Sequence, residues 1–95
     1  MAQTTINLDK MLQWAAQSGH TEIVQILLDA GADVHARGDE ALWLAARYGH
    51  TETVQLLLNA GADVHAHDGY ALRWAAERGR TEIVTLIKQH MRRIA

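Results

Sequence analysis

Leu12, Ala15 and Ala16 stand at i, i+3 and i+4, the spacing that places side chains on one helical face, and the trio returns as Leu42, Ala45, Ala46 and as Leu72, Ala75, Ala76. Small alanines on that face let neighbouring helices approach closely. A second apolar run follows, Ile23, Val24, Leu27, Leu28 in one place and Val54, Leu57, Leu58 in the next, with Thr53 replacing the isoleucine as a small flaw in the core. Gly19, Gly49 and Gly79 lie between the runs and are expected to end the first helix of each pair, because glycine accepts a left-handed terminal conformation. Ala30-Gly31 and Ala60-Gly61 are expected to close the second helix, with "ADVHA" leading out as an extended segment. Asp9 and Asp39 sit where helix N-caps are expected, Asp68 stands one residue early, before Gly69, and Thr5 and Asn7 offer further starts for the first helix.

The pattern repeats every 30 residues: residues 19–36 read "GHTEIVQILLDAGADVHA" and residues 49–66 read "GHTETVQLLLNAGADVHA". A period of this size marks a repeat array. In register the units are 7–36, 37–66 and 67–95, each a helix pair that buries its apolar face only by stacking on a copy of itself. The third unit opens the same way and then writes "IKQHMRRIA", placing Lys88, Gln89, Arg92 and Arg93 where "LLxAGADVHA" is due. A polar outer helix is what the end of a stack requires, and basic residues suit the negative end of a helix macrodipole. The expectation is one domain over residues 1–95, complete at three units, the first and last acting as caps.

These residues resemble the ankyrin repeat. "GHTEIVQILLDAGADVHA" is similar to its second helix and outgoing segment, and "ALWLAARYGH" is similar to its first helix. The units depart from the family in length, which is usually about 33 residues, and in the Thr-Pro-Leu-His opening, replaced here by Lys10-Met11-Leu12-Gln13, Glu40-Ala41-Leu42-Trp43 and Tyr70-Ala71-Leu72-Arg73. The missing residues fall between Ala36 and Leu42, where the family builds its hairpin tip. The resemblance implies an all-α, ankyrin-like solenoid of three stacked helix-loop-helix repeats with shortened hairpin connections, acting as a protein-binding module. Short repeats of the "YALRWAAERG" type are similar to those of ankyrin arrays in large viruses and some bacteria, which makes a host cytoplasm one expected setting.

With 9 Lys+Arg against 11 Asp+Glu the chain is near neutral and has no basic footprint for nucleic acid. The charges are segregated. Residues 1–66 hold three basic side chains, Lys10, Arg37 and Arg47, against eight acidic ones, whereas residues 67–95 hold six basic and three acidic ones. A monomer with weak, salt-sensitive head-to-tail association is expected. Cysteine is absent, no secretory leader opens the chain and no membrane-length apolar run occurs, so a cytoplasmic protein is expected, with neither disulfides nor membrane contact.

Chemistry is sparse. No phosphate-binding glycine loop and no nucleophile elbow is present. Ser18 and His20 lack an orienting acid, and Asp39-Glu40 reads as a helix start, so neither a catalytic residue nor a cofactor is expected. His20 and His50 repeat with the unit and are expected to serve the turn between helices. A rival reading makes the protein a metal-binding module through His35, His65 and His67. The first two would lie about 8–10 Å apart on neighbouring repeats, and His65 and His67 about 6.5–7 Å apart along an extended segment beside Asp68. A third reading, prompted by the near identity of the first two units, is an artificial consensus-like scaffold.

Within the constant frame the variable positions cluster. Gln17, Arg47, Glu77 and Ser18, Tyr48, Arg78 end the first helices, and Arg37, His67, Asp68 and Tyr70 lie on the connections. Trp14, Leu44 and Trp74 share a column and are expected in the core or between repeats. Trp43 stands in a column otherwise polar, Gln13 and Arg73, which marks either a partner anchor or an indole covered by the Arg73 guanidinium. The expected partner-binding set is Arg37, Trp43, Arg47, Tyr48, His67, Asp68, Tyr70, Arg73, Glu77 and Arg78, with Tyr48 and Trp43 as anchors.

Overall fold

The computed structural model describes residues 7–93. Six helices follow in order, α1 (Leu8–Ser18), α2 (Thr21–Asp29), α3 (Ala36–Tyr48), α4 (Thr51–Asn59), α5 (Ala66–Glu77) and α6 (Thr81–Arg93), and no strand occurs among the described residues. α1, α3 and α5 pack side by side as one layer, α2, α4 and α6 as another, and each consecutive pair closes on itself. The chain is an all-α repeat solenoid. Leu12, Leu42, Val24, Val54, Leu57, Ile83 and Ile87 fill the space between the layers, and buried Ala15, Ala45 and Ala75 let α1, α3 and α5 lie close.

The same hydrogen bonds end the first helix of every unit. The Gly19 and His20 amides donate back to the Ala16 and Ala15 carbonyls, and the pairs Gly49/His50 and Gly79/Arg80 repeat this on Ala46/Ala45 and Ala76/Ala75. Those glycines hold φ of +73°, +81° and +70°. In the third unit the helix stops one residue earlier than expected, at Glu77, with Arg78 between it and the glycine.

The connections differ from the extended segments expected. Asp33 Oδ1 accepts the His35 amide at 2.9 Å and the Ala36 amide bonds to the Asp33 carbonyl, so the chain turns at once; Asp63 does the same with His65 and Ala66. Arg37, Gly38 and Asp39 then adopt left-handed φ of 56°, 66° and 58°, matched by His67, Asp68 and Gly69 at 53°, 56° and 76°. The Asp39 and Gly69 amides bond to the His35 and His65 carbonyls, closing one left-handed turn before right-handed helix resumes. This compact turn takes the place of a hairpin. Apart from Arg37 it draws on glycine, aspartate and histidine, which tolerate the left-handed region better than most residues.

The aspartates are not helix caps. Asn7 caps α1, its Oδ1 accepting the Lys10 amide at 2.9 Å, and Thr5 lies outside the described residues. Asp9 and Asp39 instead each accept the amide 24 residues on, those of Asp33 and Asp63, at 2.7 Å. Asp39 is buried and also accepts from His35 Nδ1 at 3.0 Å. Each carboxylate thus ties the outgoing loop to the helix beneath it. Three core expectations also change. Trp14 is 57% exposed, Ile23 is exposed, and Thr53 fits the core because its hydroxyl hydrogen-bonds that of Thr21 at 2.9 Å.

Candidate functional site

α3 and α5 bring most of the variable residues together. Trp43 and Arg47 lie one turn apart on α3, as do Tyr70 and Trp74 on α5, and the spacing aims each pair along one face. Across the two helices the rings form a chain. Tyr70 meets Trp43 edge-on with ring centres 5.1 Å apart, His67 at 5.9 Å and Trp74 at 5.8 Å. The Arg47 guanidinium lies 4.3 Å from the Trp74 ring centre and 5.3 Å from that of Tyr48, and Arg78 approaches Trp74 from 5.4 Å. Trp74 therefore lies near two guanidinium groups, an arrangement worth about 0.5–1 kcal/mol per contact at exposed sites.

Arg73 does not cover the Trp43 indole. Its guanidinium sits 6.0 Å from the Tyr70 ring, and the face of α3 and α5 is organised by Tyr70. An open cleft of about 520 Å³ between the second and third units is lined by Trp43, Tyr70, Arg73, Arg37, Glu40, His67 and Asp68. Arg37 Nε pairs with Glu40 Oε2 at 2.9 Å on the rim. One unit earlier a cleft of about 610 Å³ recurs with polar walls, Gln13 and Glu40 standing where the later cleft has Trp43 and Tyr70. Only the later cleft offers large apolar rings. Tyr48 is 41% exposed at the end of α3, whereas Glu77 stands exposed on α5 outside the ring cluster.

The Nε1 atoms of Trp43 and Trp74 and the Nε of Arg47 are buried without an acceptor among the described residues. Donors left unpaired in this way are uncommon, and all three belong to the same cluster. Trp74 lies between repeats as its column implies, beneath Arg47 of the preceding unit, and its place in the ring cluster beside Tyr70 goes beyond that expectation. Its spacing of four from Tyr70 on one helix was the available signal.

The histidines are placed by packing. His50 Nε2 donates to the Gln17 carbonyl at 2.7 Å with its ring against Gly19, joining the second unit to the first, and Arg80 Nε repeats the contact to the Arg47 carbonyl at 3.3 Å over Gly49. His20 stacks on Trp14, centres 5.3 Å apart. His35 is engaged by Asp39, and the His67 ring lies over Gly38. The segment from His65 to His67 turns instead of running extended, with φ of 53° at His67. Among the described residues no group of three or more His, Cys, Asp or Glu converges as ligands would.

No helix among the described residues is long and apolar enough to cross a membrane. No characterised protein gives a match to the chain. Residues 2–68 match the family model for ankyrin repeats in three copies, in agreement with the stacked helix pairs and their shared turn bonds. The chain belongs to the ankyrin repeat family.

Proposed function

We propose that the protein is a non-catalytic interaction module that holds a partner protein on the α3 and α5 face, with Trp43 and Tyr48 as anchors and Arg37, Arg47, Arg73 and Arg78 around them. The observation that carries this reading is the ring-and-guanidinium cluster beside the cleft, present between units two and three and replaced by polar residues one unit earlier. Aromatic and arginine side chains concentrate binding energy at interfaces. Four arginines in this zone suit a partner segment rich in carboxylates or exposed carbonyls, which guanidinium groups bind in pairs of hydrogen bonds. His67, Asp68, Tyr70 and Glu77 complete the surface. The first and third units act as caps, and the module works in a cytoplasm, that of a host cell included.

The test is alanine substitution against a captured partner. Trp43→Ala and Tyr48→Ala are each expected to weaken binding by about 2 kcal/mol or more, as central aromatic anchors do, with Tyr48→Ala leaving the melting temperature unchanged. Gln25 and Gln55, which bond to Asp29 and Asn59 on α2 and α4, are the controls, and alanine there is expected to leave affinity intact. Loss of binding at the glutamines with none at the aromatic residues would move the interface to the outer helices.

A further inference from the structure

Each of several columns of side chains looks back toward the preceding unit. Thr53 touches Thr21 of the unit before it and is fully buried, and Ile83 in the same column is 1% exposed. Ile23, their equivalent in the first unit, is 38% exposed. Ala41 and Ala71 are likewise buried, while Met11 in their column is 45% exposed. His50 and Arg80 lie over the glycine of the preceding unit and donate to the carbonyl two residues before it, that of Gln17 and of Arg47, whereas His20 rests on the exposed Trp14. Within the described residues the first unit therefore presents an uncovered inter-repeat face.

The last unit presents the matching half. Gly79 keeps φ of +70° with open space where His50 or Arg80 would lie over the earlier glycines. Ala76 is exposed although Ala16 and Ala46 are buried, and Thr81 is exposed where Thr51 is partly covered. The charges also match, since the first two units are predominantly acidic and the third predominantly basic.

We propose that the first unit's open face docks on the last unit of a second copy of this chain. His20 sits over the partner's Gly79 and donates to the partner's Glu77 carbonyl, Ile23 meets the partner's Thr81, and Met11 covers the partner's Ala76. The joint is weaker than an internal one. Lys88 occupies the column of Leu28 and Leu58 and keeps its ammonium in water, so less apolar surface is buried. Because head meets tail, both ends of a pair stay open and assembly runs on beyond two copies.

Sedimentation equilibrium of the 95-residue chain distinguishes the possibilities. At low ionic strength the average mass is expected to rise with concentration without levelling at a dimer. Above about 0.3 M salt, where screening shortens to well below 10 Å, it is expected to fall to that of a monomer. A head-blocked variant, Met11→Glu with Ile23→Glu, and a tail-blocked variant, Ala76→Glu, are each expected to stay monomeric, yet to form a one-to-one dimer when mixed. All three positions are exposed in the single chain, so melting curves are expected to be unchanged. A monomeric wild type at low salt and high concentration overturns the proposal without reference to any variant. So does association that survives in the tail-blocked protein alone, which means head-to-head pairing, or a mixture of the two variants that remains monomeric.

Discussion

Asp39 combines two demands on one side chain. Its backbone is left-handed and its carboxylate, buried, accepts the Asp63 amide and the His35 ring. Asparagine keeps an acceptor and tolerates that conformation, whereas glycine keeps the conformation and loses the acceptor. Asp39→Asn is therefore expected to be the milder change, and Asp39→Gly to destabilise by about 1–3 kcal/mol, the cost of leaving a buried polar group unpaired. Urea denaturation of the two variants checks this; equal losses would assign the position's importance to charge or backbone alone. The aspartate column was visible in the sequence, but its use was not. A carboxylate near a helix start serves a cap or a distant amide equally well, and only the fold brings residue 63 to residue 39. Tyr48 and Trp43 stood out as aromatic residues among variable positions. Trp74 did not, because a large residue at a repeating position reads as packing until its neighbours are known.

The helices themselves were legible because apolar spacing of three and four, ended by glycine, is set by local geometry. The connection was not. A shortened hairpin leaves several ways to turn, and the choice made here needs three successive left-handed residues, hinted at only by Arg-Gly-Asp and His-Asp-Gly. At the ends of α1 and α3 the glycines meet two constraints, their positive φ and the side chain of the following unit. A Cβ on Gly49 would press on the Arg80 guanidinium, while one on Gly61 meets nothing within 4 Å. Both substitutions by alanine strain the backbone, by upwards of about 0.4–1 kcal/mol. Only Gly49→Ala is expected to add to this by displacing the Arg80 contact to the Arg47 carbonyl. A double-mutant cycle with Arg80→Ala is expected to show coupling at Gly49 and additivity at Gly61; additivity at both would remove the contact from the account.

In the whole molecule, every unit depends on its neighbours, because the middle unit covers buried residues of both others. Removing residues 67–93 uncovers the α3 and α4 surfaces that α5 and α6 bury. The remainder then falls below the roughly three repeats that a stable stack requires. A two-unit fragment is expected to show no cooperative thermal transition by circular dichroism. A sharp transition with native helix content would mean that one inter-unit interface is sufficient. The far-ultraviolet spectrum of the full chain is expected to be helical with negligible strand signal.

The left-handed turn at Arg37 also bears on how the chain is cut. Arg37 presents a side chain 74% exposed to solvent, so by accessibility alone it invites trypsin. Cleavage needs backbone that can leave the surface, and susceptibility follows its hydrogen bonding as well as its exposure. Here the Asp39 amide is bonded to the His35 carbonyl, and the Asp39 carboxylate is pinned to the next loop. Arg92 and Arg93 are exposed in the last turn of α6, where helix carbonyls lack intrahelical partners. Trypsin is expected to trim the chain at Arg92 and Arg93 well before it nicks Arg37, as mass spectrometry of early digests would record. Early cleavage at Arg37 would mean that the turn opens readily. Late cleavage there would mean that the hydrogen-bonded left-handed turn, and not side-chain exposure, governs where the connection is cut.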